Sequence, residues 1–212
     1  MRIETPAIVC ALLSHGEHGA VVRLMTVEHG MQAAYVRGAR GRRMRPVLIA
    51  GNLVEARLSA RTDVQLPQAA VELVHSRAPL FSEPLPAAAI EWATVLTATV
   101  LPEGQPYPLL YDALSGLLDA IEAAPSAAGW GAALVRYELL LLQELGFGLD
   151  PGQLRGLPAF LRDGGQANWT EIGDGLKLTG HDLDRDLLTG RAEIIGGARG
   201  RLVERLCRAG GL

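Results

Sequence analysis

The chain has 212 residues, of which 49% are hydrophobic and 20% are charged, and its formal net charge is −3. This composition is typical of a globular protein long enough for one large domain or two small ones, and it lacks the run of about 18 apolar residues that a membrane span needs. An acid and a proline in the first ten residues, MRIETPAIVC, exclude a signal peptide and predict a cytoplasmic protein.

The charges are divided unevenly along the chain. Residues 1–75 contain nine basic and six acidic side chains, residues 76–150 contain two and nine, and residues 151–212 contain nine and eight. A polyanion would be attracted to the first part and repelled by the middle part. The division therefore favours two domains with different partners.

The first 75 residues are typical of short strands separated by turns. The clearest strand is the fourth, where Val54, Ala56 and Leu58 alternate with polar side chains. No segment is long enough for a crossover helix, so the pattern predicts a small antiparallel barrel of the oligonucleotide-binding (OB) type. A fragment of a β-sandwich is the alternative. The predicted strands are residues 7–13, 21–26, 31–37, 53–60 and 65–75.

The third and fourth strands are joined by the most unusual stretch of the sequence, YVRGARGRRMR, residues 35–45. It holds five arginines and no acid, and its glycines let the backbone bend close to a partner. Guanidinium groups stay charged and match the oxygens of a phosphate with paired donors. The alternative is a solvated turn that only favours solubility. We predict a binding site for a polyanion at Arg37, Arg40, Arg42, Arg43 and Arg45.

Three further side chains are predicted to extend this site. Alternation places Tyr35 on the same side of its strand as Arg37, and Arg57 on the same side as Arg61. If both sides face solvent, an aromatic ring and several guanidinium groups line one groove, as in proteins that hold single-stranded nucleic acids. Tyr35 is the only aromatic residue before Phe81, so little sequence preference is expected. The alternative for Tyr35 is a half-buried strand residue.

After Arg77 the sequence changes character. Three prolines in SRAPLFSEPLPA predict a linker at residues 78–86, which separates a barrel domain at residues 1–77 from a helical domain at residues 87–212. Segments rich in Ala, Leu and Glu predict three helices at residues 87–101, 107–123 and 127–145.

The third of these helices has only a narrow polar stripe, formed by Arg136, Gln143 and Glu144. It is therefore predicted to be the central buried helix of its domain. Gly146 or Gly148 is expected to end it.

The C-terminal part is less regular. Residues 151–177 have no clear period and are expected to form an irregular cover over the helical core. Thr179, followed three residues later by Asp182, predicts that a short helix begins there with a capping box. His181 is expected at the surface.

A last helix is predicted at residues 198–208, before two glycines. Two of its leucines mark a buried side, and three arginines at i, i+4 and i+7 lie along another side. The arginine stripe is a second candidate anion site, and its alternative is a solvated face partly neutralised by Glu204. The residues of this candidate site are Arg201, Arg205, Arg208, Leu202 and Leu206.

No catalytic motif is found, neither GxSxG nor Walker A nor HExxH. His15 and His18 lack a third metal ligand nearby and are expected to be exposed. Cys10 and Cys207 are far apart in the sequence and are expected to be reduced and buried. We therefore predict that the protein is not an enzyme and uses no metal or other cofactor.

Several stretches together resemble the RecO family of bacterial DNA repair and recombination proteins. Residues 16–61 resemble the family's N-terminal barrel, notably in the GE pair, the T–HG turn and the RGAR motif. VRYELLLLQELGFGLD is similar to the long helix and glycine stop of the family's helical domain, and LPAFL, LTGHDLDRDLL and RLVERL are similar to its ending.

The resemblance implies a role in DNA repair. Members of the family bind single- and double-stranded DNA, anneal complementary strands, and work with RecR so that RecA loads onto DNA coated by single-stranded-DNA-binding protein. They contact the acidic C-terminal tail of that protein, which we expect at the arginine stripe of the last helix. A nucleoid-associated cytoplasmic location follows. By this resemblance, Arg37, Arg40, Arg42 and Arg43 belong to the family's basic loop.

In one respect the sequence departs from the family. Many relatives follow the GFGLD stop with the cysteines of a zinc-binding module, whereas this chain continues PGQLRGLPAFL, which is shorter and lacks cysteine. Zinc is expected to be absent. Two other functions stay open, an OB-type module for structured RNA or a ribosomal partner, and a hydrolase with dispersed catalytic residues.

Overall fold

The computed structural model describes residues 2–62, 64–124, 126–148, 157–158, 160–161, 165, 167–191, 195 and 197–211. The chain divides into two compact units. One unit comprises Met1–Glu83 and Ala93–Tyr111, and the other comprises Pro84–Trp92 and Asp112–Leu212. The first contains a barrel and the second is helical, which confirms the predicted α+β class.

The barrel is built from five strands: β1 (Arg2–His15), β2 (Gly19–Thr26), β3 (Gly30–Val36), β4 (Leu53–Ser59) and β5 (Gln68–His75). They close in the order β1-β2-β3-β5-β4. All neighbours are antiparallel except β3 and β5, which pair in parallel where Tyr35 faces Gln68. This topology confirms the OB-type barrel and excludes the sandwich fragment.

Alternate side chains of every strand fill the barrel, as a period of two requires. The alternation predicted for β4 is confirmed, because Val54, Ala56 and Leu58 are all buried in the core. The register of β1 shifts between Val9 and Ala11, and a shift of this kind bends a strand. β1 can therefore pair with β4 through its first half and with β2 through the rest.

The two cysteines are free and differ in their surroundings. Cys10 lies at the register shift of β1 and is buried, and this burial raises the pKa of its thiol to about 12. Cys207 is only half-buried, so the expectation that both are buried is wrong for Cys207. It lies in the last helix, Ala198–Gly210, at a position where its side chain is not fully covered.

Helices follow the barrel in the chain. A short 3-10 helix, Ala78–Ser82, occupies much of the predicted linker. The predicted limits of the two domains, residues 1–77 and 87–212, stay a prediction. In the described ranges no helix is long and apolar enough to cross a bilayer. The α-helices whose bounds the structure describes are α1 (Pro84–Val100), α2 (Pro108–Ala123), α3 (Ala128–Glu144), α4 (Trp169–Asp186) and α5 (Ala198–Gly210).

The bounds of α1, α2, α3 and α5 lie within a few residues of the four predicted helical segments, so these predictions are confirmed. α3 is largely buried, as its narrow polar stripe indicated. After it Gly146 has φ +86°, a left-handed conformation that glycine adopts most easily and that commonly ends helices. The predicted stop is confirmed.

α4 corrects two sequence predictions. Thr179 does not begin a helix, because it lies buried in the middle of α4. The capping box is formed instead by Asn168, whose side chain accepts a hydrogen bond from the Glu171 N–H at 2.9 Å, while the Glu171 carboxylate accepts one from the Asn168 N–H at 2.9 Å. The predicted irregular cover is thus wrong for residues 169–177, and residues 151–156 lie outside the described ranges.

A buried ion pair connects the helices of the second unit. The Glu138 carboxylate on α3 is 0% exposed, and the Arg199 guanidinium on α5 donates to its two oxygens at 3.2 and 3.1 Å. The Trp92 indole on α1 donates to the same carboxylate at 2.7 Å, and the Thr179 hydroxyl donates to it from α4. Arg199 also donates to the Leu176 carbonyl at 2.6 Å. Three other helices thus meet one carboxylate of α3.

The segment after α1 returns to the barrel within the first unit. The Gly104 N–H donates to the Met31 carbonyl at 3.0 Å, and the Arg23 guanidinium lies 3.3 Å from the Glu103 carboxylate. Gly30 lies against this segment with φ +65°, and a Cβ built on it would be 1.9 Å from the Gln105 carbonyl oxygen. Glycine is therefore required at position 30 of the TVEHG turn, both because the backbone is left-handed there and because Gln105 leaves no room for a Cβ.

Replacing Gly30 by alanine is expected to destabilise the barrel more than the same change at Gly104. Gly104 has φ +74° with nothing within 4 Å, so the control adds only left-handed strain, about 1–2 kcal/mol. At Gly30 the overlap with Gln105 should add roughly 1–3 kcal/mol. Urea unfolding measures both, and equal losses would contradict the contact with Gln105.

Arg199→Met is expected to lower the free energy of unfolding by roughly 3–5 kcal/mol, because it leaves the buried Glu138 charge without its partner. Arg201→Met on the same helix is the matched control, since its exposed pair with Glu91 contributes at most about 1 kcal/mol. The double variant Arg199→Met, Glu138→Leu should be less destabilised than Arg199→Met alone. Equal unfolding midpoints for the two single variants would rule out this role.

Candidate nucleic-acid interface

The basic segment, residues 37–45, is a series of consecutive turns. The Gly41 N–H donates to the Gly38 carbonyl at 2.9 Å, and the N–H groups of Met44 and Arg45 both donate to the Gly41 carbonyl at 3.1 Å. Gly38 has φ +69°, which an L-residue with a side chain rarely adopts. The glycines of the sequence thus serve to form turns.

Apolar side chains within and after the basic segment anchor it to the barrel. Ala39 and Leu48 are buried in the barrel core, and Met44 and Val47 pack against that core while partly exposed. Each arginine of the segment therefore lies within a few residues of a fixed backbone position. This anchoring lowers the conformational entropy that a bound partner would otherwise have to remove.

Asn52 fixes the end of the same loop. Its buried side-chain amide donates to the Pro46 carbonyl at 2.8 Å and to the Val47 carbonyl at 3.0 Å. Its side-chain oxygen accepts a hydrogen bond from the Arg77 N–H at 2.8 Å. One fully satisfied buried carboxamide therefore joins the loop to the end of β5.

The arginines of the basic segment are directed to solvent. All five are exposed, and none forms an ion pair with a carboxylate in the part of the chain that the structure describes. Arg40 donates to the Glu17 carbonyl at 3.5 Å, and its N–H lies 3.4 Å from the His18 carbonyl. The structure thus brings Arg37, Arg40, Arg42, Arg43 and Arg45 together with their charges available.

Tyr35 lies on the outside of the barrel and is half-buried. Its ring covers Gly19, where an added Cβ would come within 2.5 Å of the ring atoms. The edge of the ring meets His15 with centroids 5.8 Å apart and planes at 79°. The tyrosine therefore lies beside the turn between β1 and β2, and His15 and His18 of this turn are exposed as predicted.

Arg57 and Arg61 have different surroundings, although the sequence predicted both for the same surface. Arg57 forms ion pairs with Glu4 and Glu72, each at 3.0 Å. Its charge is thus neutralised by acids of two neighbouring strands. Arg61 is exposed, and no carboxylate among the described residues pairs with it.

The arginine stripe of α5 is engaged within the second unit. Arg201 pairs with Glu91 at 2.7 Å, Arg208 pairs with Glu204, and Arg205 donates to the Pro84 carbonyl. Leu202 and Leu206, the apolar part of the predicted tail site, are 0% and 2% exposed. The arginines of the stripe therefore already have partners within the unit, and its leucines face the core, so the tail site stays a prediction.

The neutralising acids were missed by sequence reasoning. Glu4 faces Arg57 across the β1–β4 pair, a register that a single sequence does not give. Alternation did place Arg57 on the face opposite the apolar side chains of β4. Among the described residues, no group of three or more His, Cys, Asp or Glu side chains could hold a metal ion.

Comparison with known proteins gives the same family for two successive segments of the chain. The family model described as "Recombination protein O N terminal" matches residues 1–77, and "Recombination protein O C terminal" matches residues 86–151.

Individual relatives match over the whole length. "DNA repair protein RecO" of Rhodospirillum centenum is 37% identical over 244 residues, which covers 99% of this chain and 96% of the relative. The protein of the same name from Phenylobacterium zucineum is 35% identical over 249 residues and 100% of both chains. Both alignments are longer than 212 residues, so these relatives contain segments that this chain lacks.

Changing Glu4 and Glu72 to glutamine together is expected to free Arg57 and to strengthen binding of a single-stranded oligonucleotide. The gain should be at most about fivefold at low salt, since exposed ion pairs contribute about 0.2–1 kcal/mol, and it should disappear at high salt. Fluorescence anisotropy measures the affinity. Glu204→Gln, which frees Arg208 on α5, is the matched control, and an equal gain there would contradict a binding surface at Arg57.

Proposed function

Because this chain belongs to the RecO family of DNA repair proteins, we propose that it binds single- and double-stranded DNA through the basic segment and anneals complementary strands. One observation carries this proposal. Five exposed guanidinium groups without carboxylate partners among the described residues lie on a backbone anchored to the barrel core. Such a surface suits phosphates better than it suits any neutral ligand.

Binding is mainly electrostatic in this proposal. Each guanidinium that contacts a phosphate releases a condensed counterion, so the logarithm of the affinity falls with the logarithm of salt concentration by about 0.7 per contact on a single strand, or about 3.5 for five contacts. Tyr35 adds stacking for one base, worth about 1–3 kcal/mol. With a single ring the protein has little sequence preference.

Annealing follows from the same charges. Two complementary strands repel each other through their phosphates, and guanidinium groups that neutralise both backbones let the bases approach and pair. The anchoring of Ala39 and Leu48 keeps the arginines close together without a large loss of entropy on binding. No bond is made or broken, so the protein acts as a mediator and not as an enzyme.

The helical part contacts proteins in this proposal, since residues 76–150 carry the excess of acids that DNA avoids. Its partners are RecR and the acidic tail of single-stranded-DNA-binding protein, and through them RecA loads onto DNA of the nucleoid in the cytoplasm. On α5 the tail would have to replace Glu91 and Glu204 as partners of Arg201 and Arg208.

Changing Arg37, Arg40, Arg42 and Arg43 together to alanine is expected to abolish strand annealing. The salt dependence of oligonucleotide binding should become shallower by about 2.8, four contacts at about 0.7 each. Fluorescence anisotropy across a salt series measures binding, and energy transfer between labelled complementary strands measures annealing. The quadruple lysine variant is the control, because it keeps the charges but not the paired donors.

Two results would contradict the proposal. One is an alanine variant that anneals strands at the wild-type rate with an unchanged salt slope. The other is a wild-type protein that prefers duplex RNA to single-stranded DNA at matched salt, which would support the OB-type RNA module. Thermal unfolding of each variant checks that the barrel is intact.

A further inference from the structure

Four strands each place one residue in a single row on the outside of the barrel. Tyr35 faces Gln68, Gln68 faces Ser59, and Ser59 faces Arg2. Neighbours such as Leu58 point into the core, so the row members point outwards. At about 4.8 Å per strand, the row extends about 14 Å from Tyr35 to Arg2.

The end of this row away from Tyr35 is a surface groove of about 430 Å³. It is lined by Arg2, Ser59 and Gln68 together with Arg57 and Ala70. Within the described ranges, the side chains of Arg2, Ser59 and Gln68 are exposed and make no hydrogen bond or ion pair. The groove thus offers a guanidinium, a hydroxyl and a carboxamide, all groups that bind phosphates and sugars.

Acidic and basic side chains on the outer face lie toward opposite ends of β4. Its outward residues run from Glu55 through Arg57 to Ser59, and Arg61 follows the strand. Glu55 faces Glu72 across the β4–β5 pair, so the side beyond Arg57 is acidic. A polyanion that crosses the barrel is therefore repelled on that side and attracted along the row.

We propose that a bound DNA strand leaves the basic segment, passes Tyr35 and follows this row to Arg2, whose guanidinium binds a phosphate. Gln68 and Ser59 contact the backbone in between. The inference rests on the proposed function and adds to it the direction and extent of the strand. Arg2 lies outside the stretch in which the sequence predicted a strand, and only the pairing of β1 with β4 reveals its place.

Oligonucleotides of about 4 and about 16 nucleotides, the range that one such barrel covers, test the path. Arg2→Ala should leave the short strand, held at the basic segment, bound as by wild type. It should bind the long strand roughly fivefold more weakly, with a salt slope smaller by about 0.7. Gln68→Ala should weaken the binding of the long strand only, and by a smaller factor than Arg2→Ala does. Affinity tags belong at the C-terminus, because Arg2 is next to the N-terminus in the sequence.

Two controls separate the path from general attraction. Lys177→Ala in the second unit also removes one positive charge, from an exposed pair with Asp174, and should affect neither strand length. Arg2→Lys should keep the salt slope for the long strand. If Arg2→Ala is unstable by thermal unfolding, Arg2→Lys and Gln68→Ala decide the question through the affinity of the long strand.

The outcomes distinguish the inference from the proposed function. Wild-type protein that binds neither oligonucleotide overturns both. If the basic-segment variant binds weakly while Arg2→Ala binds both lengths as wild type does, the path alone is wrong. Equal weakening of both lengths by Arg2→Ala also overturns the path, because Arg2 would then act only through its distant charge.

Discussion

The burial of a few apolar side chains beside five arginines is the constraint on which this surface depends. Like charges repel, and a free loop would spread them apart. Ala39 and Leu48 in the barrel core, with Met44 and Val47 against it, prevent this by fixing the backbone between and after the arginines. The core that stabilises the barrel thus also fixes the positions of the basic groups before any partner arrives.

Whether a surface arginine is available depends on its cross-strand neighbours. Arg57 and the arginines of the basic segment belong to the same unit, yet Arg57 is neutralised because β1 and β5 each bring a glutamate to it. Among the described residues, no carboxylate forms an ion pair with an arginine of the basic segment. The distribution of charges on the barrel is therefore a consequence of register, and in the proposed function it restricts DNA to part of the outer face.

Local patterns in the sequence predicted local features well. The alternation in β4, the glycine that ends α3 and the basic segment all follow from neighbours in the chain. Long-range pairing was the part that could not be predicted, which is why the acids around Arg57 were missed. At Thr179 the error was different, because Asn168 and Glu171 form an ordinary capping box that weak apolar periodicity on both sides obscured.

The buried Glu138 carboxylate explains why the helices after residue 151, where the C-terminal family match ends, are part of the same core. Glu138 lies within that match. Thr179 and Arg199 lie beyond it, and both donate hydrogen bonds to the buried Glu138 carboxylate. A Cβ at Gly180 would come within 2.4 Å of the Arg199 guanidinium. The absence of a side chain at Gly180 therefore leaves room for the guanidinium beside α4. An unpaired Glu138 charge would be costly to bury, and the ion pair thereby makes folding of α3 dependent on α4 and α5.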